Sequence, residues 1–529
     1  MPRSHVAKYL RIHGPSLSSD LVRDFGKEGV NDDAVRQRIR RAKLSDGVQV
    51  LGGVRLPHRD SFLYLKGQYG TESFWEALAS AFDRSGSAYG HLVHAMSARG
   101  GAVAREEVPV VSGSPIAMKK QLTADHVVEG LLATGLIETD EATGVLTFNP
   151  DAPWPSGNPG SVAARRVAEE VLVGAVGAWA RRLGFTSSSL TDTDKTEALP
   201  QFGQFAWHVV GPCYLHPLVA PGEAKSVPGF FVADVSVGAE LTLDQVRPFV
   251  LKCERMRAQR RHRPFIAMLV ADWYADEALA FGRSRGLMMV TPHGLFGKDA
   301  AEALRLLLRT LNNAAAVAAT NPDQIADLFG KLGKVEGAAS NLRGPLFELI
   351  AAHCLYRREG ALIDWGVRIR DPKTSEGAEV DVLGRRPGQK VWAIECKGVE
   401  PGGRVTREVV EDWLTRQVPR IARWIEAREG SVDRVFEIWT TGTFDNDAVT
   451  YLEARKAETK KYELGWRDGD RIKELAHEVG SKAVRDTLRE HYFKHPLTET
   501  AQPPAEPASP QLRPAEIASG VQGESDLPF

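Results

Sequence analysis

One stretch concentrates groups able to do chemistry: residues 377–398 read GAEVDVLGRRPGQKVWAIECKG. Its alternating pattern is that of two strands, and residues two apart on a strand share a face. Glu379 and Asp381 therefore project together, and so do Glu395 and Lys397. If the two strands pair, carboxylates and one ammonium converge at one end of a sheet. An oxygen-rich set of this kind suits a hard divalent cation, Mg²⁺ or alternatively Mn²⁺, which takes one or two carboxylates together with water and phosphate oxygens. A lysine beside it can orient or deprotonate a water for in-line attack on phosphorus, where negative charge develops. The chemistry this implies is metal-dependent phosphodiester hydrolysis. A solvated strand bearing a surface Glu–Lys pair would not be preceded by the apolar run VWAI and closed by a glycine, as this one is.

Such a site needs a frame. Ahead of it, GPLFELIAAHCLYRREG has helical periodicity; behind it come the helix REVVEDWLTRQVPRIARWIEARE, the strand RVFEIWTTG and the helix DNDAVTYLEARKAE. This order, with Asp381, thirteen residues and then Glu-x-Lys, resembles the PD-(D/E)xK or restriction-endonuclease-like superfamily over residues 341–495. The resemblance implies that Asp381 and Glu395 bind metal and that Lys397 acts at the attacking water. It implies that Glu348, on the preceding helix, completes the catalytic and metal-binding set. The main-chain carbonyl of Cys396 would be a further ligand, and Gln417, on the following helix, a further catalytic-site polar group. Val380 stands where the family carries proline. Glu348 is embedded among apolar residues, a costly placement for a carboxylate without a partner or a metal.

The same element order occurs upstream, over residues 162–315. A long helix, VAARRVAEEVLVGAVGAWARRLG, leads to the strands FAWHVV and GFFVADVSVG, a helix, the strand FIAMLVA, a helix and the strand LMMVTP. Aligning FVADVSVG with AIECKG sets Asp234 over Glu395 and Ser236 over Lys397, and finds no acid for Asp381. The region reads as a degenerate, non-catalytic copy. Glu169 or Glu170 echoes Glu348, and the arginines of ERMRAQRRHRP offer a phosphate contact.

Residues 1–70 carry three short helices, the third opening at Asn31 and bearing Arg36, Arg38, Arg40, Arg41 and Lys43; VQVLGGVRL follows as two strands turning at Gly52-Gly53. This is the plan of a winged helix-turn-helix, whose third helix contacts DNA. Residues 71–150 repeat the plan with fewer cations, and 151–161 are a Pro/Gly-rich linker. The stretch 498–529 is rich in Pro, Ala and Glu and is expected to be a disordered tail.

Composition bounds the rest. The chain has 529 residues with 67 Lys and Arg against 68 Asp and Glu, so nucleic-acid contact must come from local patches and not from bulk charge. Its four cysteines form no CxxC pair, and no GxxxxGK[ST] loop for a nucleotide is present. With no long apolar run, a soluble cytoplasmic protein without a membrane partner is expected. The fold class expected is therefore α/β multidomain: tandem winged-helix modules, a degenerate restriction-endonuclease-like domain, and a nuclease domain at 341–495. The function expected is a Mg²⁺-dependent endonuclease acting on double-stranded DNA in restriction, antiphage defence or repair, as a homodimer or with partner subunits. The alternative is a non-catalytic DNA-binding regulator or subunit of a defence complex.

Overall fold

The computed structural model describes residues 5–117, 121–141, 143–186, 191–192, 199–219, 227–259, 262–313, 322–333, 335 and 338–493. Residues 1–493 cluster as one compact unit. The stretch expected to be a disordered tail lies outside the described residues, as do Arg260 and Arg261. The chain is mixed α/β, with several small sheets. Among the described residues no helix is long and apolar enough to cross a membrane.

Two small three-stranded sheets come first. The helix Asp32–Ser45 starts where the Asn31 side chain accepts the Ala34 amide hydrogen at 2.8 Å, and acids occupy its first turn. Val35, Ile39 and Ala42 are buried, which turns Arg36, Arg40, Arg41 and Lys43 outward and leaves Arg38 half-buried. The hairpin differs from the one expected at Gly52-Gly53. Val48–Val50 pairs with Phe62–Leu65, not with residues 53–56, and Ser16–Leu17 adds to the other side of Phe62–Leu65. Gly53 is used for close approach: its φ is +82°, and an added Cβ would sit 2.6 Å from the Ala133 Cβ of the next module. That module has the same strand arrangement, with Leu146–Phe148 between Ala102–Val103 and Ile137–Thr139.

The larger part holds two five-stranded sheets. The first follows the helix α1 (Gly160–Arg182) and comprises the edge pair Thr191–Asp192, then β1 (Val209–Cys213), β2 (Gly229–Leu241), β3 (Phe265–Tyr274) and β4 (Met288–Val290), with the helix α2 (Leu243–Arg257) between β2 and β3. The second follows α3 (Ala338–Glu359) and comprises β5 (Leu362–Arg370), β6 (Gly377–Arg386), β7 (Lys390–Lys397), β8 (Asp433–Thr440) and β9 (Glu463–Arg467). In both sheets the first two pairings are antiparallel and the last two parallel. The two halves thus share one topology strand for strand, the edge strands included.

They also share a core. Ala168, Leu172 and Val176 of α1 and Leu346, Ile350 and Leu355 of α3 belong to one buried cluster with Val235 and Met268 of the first sheet and Trp392 and Ile394 of the second. The opposite face of the second sheet packs Val391 and Ala393 against Val410, Trp413 and Ile421.

Candidate active site

The second sheet opens where its charges lie. The β6–β7 ladder runs from Arg386↔Lys390 to Val382↔Ile394 and stops there. The next positions on the two strands are Asp381 and Glu395. In place of a ladder bond, the Asp381 carboxylate accepts the Cys396 amide hydrogen at 2.7 Å. Across from Asp381 on the other side, Gly366 in β5 has φ +59°, a left-handed kink for which glycine is suited. The splayed strand ends leave room for side chains that a continuous ladder would close.

Lys397 lies on Glu395, Nζ to Oε1 2.7 Å, with the carboxylate side chain 8% and the ammonium side chain 36% exposed. Burial opposes the Lys397 charge, but Glu395 and Asp381 hold its pKa above the ordinary lysine value, so it is a protonated donor. Burial pushes Asp381 well above the usual carboxylate range, and Glu395 and Glu348 push it further. Glu348, brought in by α3, is driven up to about 8, first by burial and then by Glu379; Trp365 and Lys397 pull the other way. Carboxylates raised by one another are a set that a cation would relieve. Burial, with Asp381 next, keeps the Cys396 thiol fully protonated. Its main chain, not its sulfur, belongs to the site.

Gln417 sits in a single π-helical turn, Trp413–Gln417, inserted between the helices Arg407–Asp412 and Val418–Glu429. Such turns recur at functional sites. The Gln417 Oε1 is buried without a hydrogen-bond partner in the protein, and the residue lines the same cleft as Glu379. An orphaned acceptor in the cleft that Glu379 lines suits a bound water, and the mutually raised Asp381 and Glu348 suit a cation. Among the described residues, no three His, Cys, Asp or Glu side chains form a ready-made metal cage. Asp381 and Glu395 are instead engaged by the Cys396 amide and the Lys397 ammonium.

The structure therefore brings Glu348, Asp381, Glu395, Cys396 and Lys397 together and sets Gln417 on the covering helix. Arg36, Arg38, Arg40, Arg41 and Lys43 lie on the N-terminal module. One contributor was not singled out from the sequence: Arg166 of α1 reaches Glu379 at 3.7 Å and Glu170 at 3.2 Å. A signal for it exists, since Arg165 and Arg166, with Glu169 and Glu170 one turn on, stand in a largely apolar helix where charges need partners.

At the equivalent place in the first sheet, one step beyond Val209↔Ala233, His208 stands where Asp381 does and Asp234 where Glu395 does. An amine is present after all. Lys252, fully buried on α2, donates to Asp234 at 2.6 Å and lies 3.7 Å from the centre of the Trp207 ring. His208 donates its amide hydrogen to the other Asp234 oxygen at 3.1 Å. A second cation comes from the neighbouring module: Arg99 donates to Glu169 and to the Val235 carbonyl, both at 3.3 Å. Val235 corresponds to Cys396, whose carbonyl is the expected ligand, so a guanidinium holds the carboxylate and carbonyl that metal would hold. Protein cations satisfy this half from within.

No family model and no curated protein matches the chain. Among solved structures, a protein of unknown function, AF1548, matches 27% of this chain and 95% of its own at 14% identity and a TM-score of 0.18, a likeness too slight to support any reading of function.

Proposed function

We propose that the protein is a divalent-metal-dependent endonuclease of the PD-(D/E)xK kind, with its active centre at the open end of β6 and β7. The observation that carries this reading is the convergence of Asp381, Glu395 and Lys397 at a splayed strand end, with Glu348 raised to about 8 beside them. Asp381, Glu395, Glu348 and the Cys396 carbonyl would hold the cation. A bound Mg²⁺ or Mn²⁺ would offset charge developing on the phosphate.

The chain's own groups have distinct tasks. Lys397, protonated on Glu395, orients a water and faces developing negative charge but takes no proton while that pairing lasts. Glu348, raised to about 8 by burial and by its neighbouring carboxylates, would give up its proton on binding the cation, which offsets the repulsion that raises it. Gln417 supplies an unpaired carbonyl oxygen to fix a water. The two N-terminal modules are winged helices in this reading; the first presents Arg36, Arg40, Arg41 and Lys43 to DNA. The first α/β half is a scaffold whose site Arg99 and Lys252 have closed. Restriction, antiphage defence or repair would be the setting.

The test is cleavage of supercoiled plasmid and of labelled oligonucleotides in Mg²⁺ and Mn²⁺, with EDTA as control. Asp381→Asn and Lys397→Ala should each lose cleavage while keeping the wild-type circular dichroism spectrum. Wild-type rates in either variant, or no cleavage of any substrate by the unaltered protein, would remove the proposal. In the latter case, retained DNA binding would leave a non-catalytic DNA-binding role.

A further inference from the structure

Beside the candidate centre lies a cleft of about 590 Å³, bounded by α1, the turn at 143–144 of the second module, β5, β6 and the π-helical turn. Six arginines line it against three carboxylates. Arg166, Arg368 and Arg370 come from two different elements, α1 and β5, and their neighbours include Glu379 and Gln417 of the centre itself. Several of these cations rest on exposed acids that a phosphate could replace: Arg368 on Glu106 at 2.8 Å, with the Glu106 side chain 62% exposed, and Arg416 on Asp412 at 3.0 Å.

This cleft does not end there. Arg368 and Thr143 also line a second cleft, of about 770 Å³, which continues past Asn158 and the C-terminal end of the helix Lys298–Asn312. Two half-buried tryptophans, Trp365 and Trp424, stand along it. Arg428 lies 5.5 Å from the Trp424 ring centre. Arginines at one end and indoles at the other follow the plan by which proteins hold an unpaired strand, with cations tracking phosphates and aromatic faces stacking on bases. Open clefts of this size have room for a few nucleotides of one strand, and stacking on Trp365 or Trp424 takes unpaired bases, which a duplex keeps stacked within itself.

We propose that this joined cleft binds single-stranded nucleic acid, entering over Trp424 and Trp365 and passing Arg368, Arg370 and Arg166 to the carboxylates. This rests on the nuclease reading for its direction toward the centre, though not for the binding itself. DNA and RNA share the chemistry, and both are probes.

The experiment measures fluorescence anisotropy of the full chain with fluorescein-labelled oligonucleotides, single-stranded DNA, single-stranded RNA and duplex DNA, in EDTA and again in Ca²⁺. In the Arg36→Ala/Arg40→Ala/Arg41→Ala variant, whose N-terminal module no longer competes for duplex, single strands should bind tighter than duplex of the same length. Arg368→Ala with Arg370→Ala should lower the salt slope by about 0.7 for each phosphate no longer neutralised. Trp424→Ala should weaken single-strand binding roughly 5- to 150-fold with the slope unchanged, and Trp424→Phe, which keeps an aromatic face, should restore most of it. In the Arg36→Ala/Arg40→Ala/Arg41→Ala variant, duplex binding as tight as single-strand binding, or in the full chain equal single-strand affinity across the tryptophan and cleft-arginine variants, would overturn the proposal. Loss of single-strand binding in Arg36→Ala/Arg40→Ala/Arg41→Ala would also overturn it, by moving the strand to the N-terminal module. Because no arm requires cleavage, an inactive centre would sink the nuclease reading and leave this result standing.

Discussion

Breaking the ion pair between Asp234 and Lys252 should be costly even though the intact pair adds little net stability, and the pair lies where a catalytic residue would be sought by alignment. The partners are 2.6 Å apart, with side-chain exposures of 9% and 0%. At an effective dielectric constant of about 20, attraction at that separation is about 6 kcal/mol, much of it cancelled by the cost of removing both charges from water. Removing one partner leaves the other desolvated. Asp234→Asn leaves the buried Lys252 ammonium with no compensating charge, only neutral oxygens such as the Val110 carbonyl at 3.4 Å and the Trp207 face. Each single variant, Asp234→Asn or Lys252→Met, should therefore lose about 3–5 kcal/mol. The double variant Asp234→Asn/Lys252→Met buries no charge and should recover most of that loss. Urea unfolding of the three variants and the parent closes a thermodynamic cycle whose coupling should exceed about 2 kcal/mol. Additive losses, within about 0.5 kcal/mol, would refute the pairing. A drop in cleavage by Asp234→Asn must therefore be read beside its stability, since a destabilised scaffold and a catalytic role would look alike at one temperature.

Two further outcomes are expected. His91, 5% exposed, has its pKa lowered to about 4, chiefly by burial and then by Arg255. A base depressed on folding takes up fewer protons than the unfolded chain, so its stabilising effect is full above about pH 6.5 and is lost as pH falls toward 4, by about 3 kcal/mol in all; His91→Gln should flatten this part of a stability–pH profile from urea midpoints, and an unchanged acid limb would count against it. Replacing Arg36, Arg40 and Arg41 by Ala should weaken duplex DNA binding and reduce its salt slope by about 0.9 for each phosphate those arginines had neutralised, a titration in which an unchanged slope would remove the third helix from the interface.

Much of the candidate centre is legible in the chain because it is local. Period two places Glu379 with Asp381 and Glu395 with Lys397, and a short gap between strands fixes an antiparallel pair. The repeated element order is legible for the same reason: strand, helix, strand recurs whether or not residues are shared. What escapes is brought from elsewhere. The edge strands β5 and β9 have weak alternation and gain their place only by pairing. Gly52-Gly53 has turn chemistry, yet Gly53 serves contact with Ala133, and the hairpin closes instead through Phe62–Leu65. Arg99, Arg166 and Lys252 look like ordinary helix cations. Their partners lie 70, 213 and 18 residues away in sequence, at Glu169, Glu379 and Asp234, and no spacing rule reaches that far.

The wall of α1 and α3 bears on descent. The two helices and both sheets contribute to a single buried apolar cluster that serves the two halves. Deleting the half whose site is closed would leave a greasy surface on the other, and shortening the chain would cost solubility before it cost chemistry. Selection acting only on the half proposed to carry the centre would still preserve the other, as masonry. The twin is then free to lose ligands, gain a lysine and accept an arginine from next door, provided the face it turns toward its sibling stays smooth and apolar.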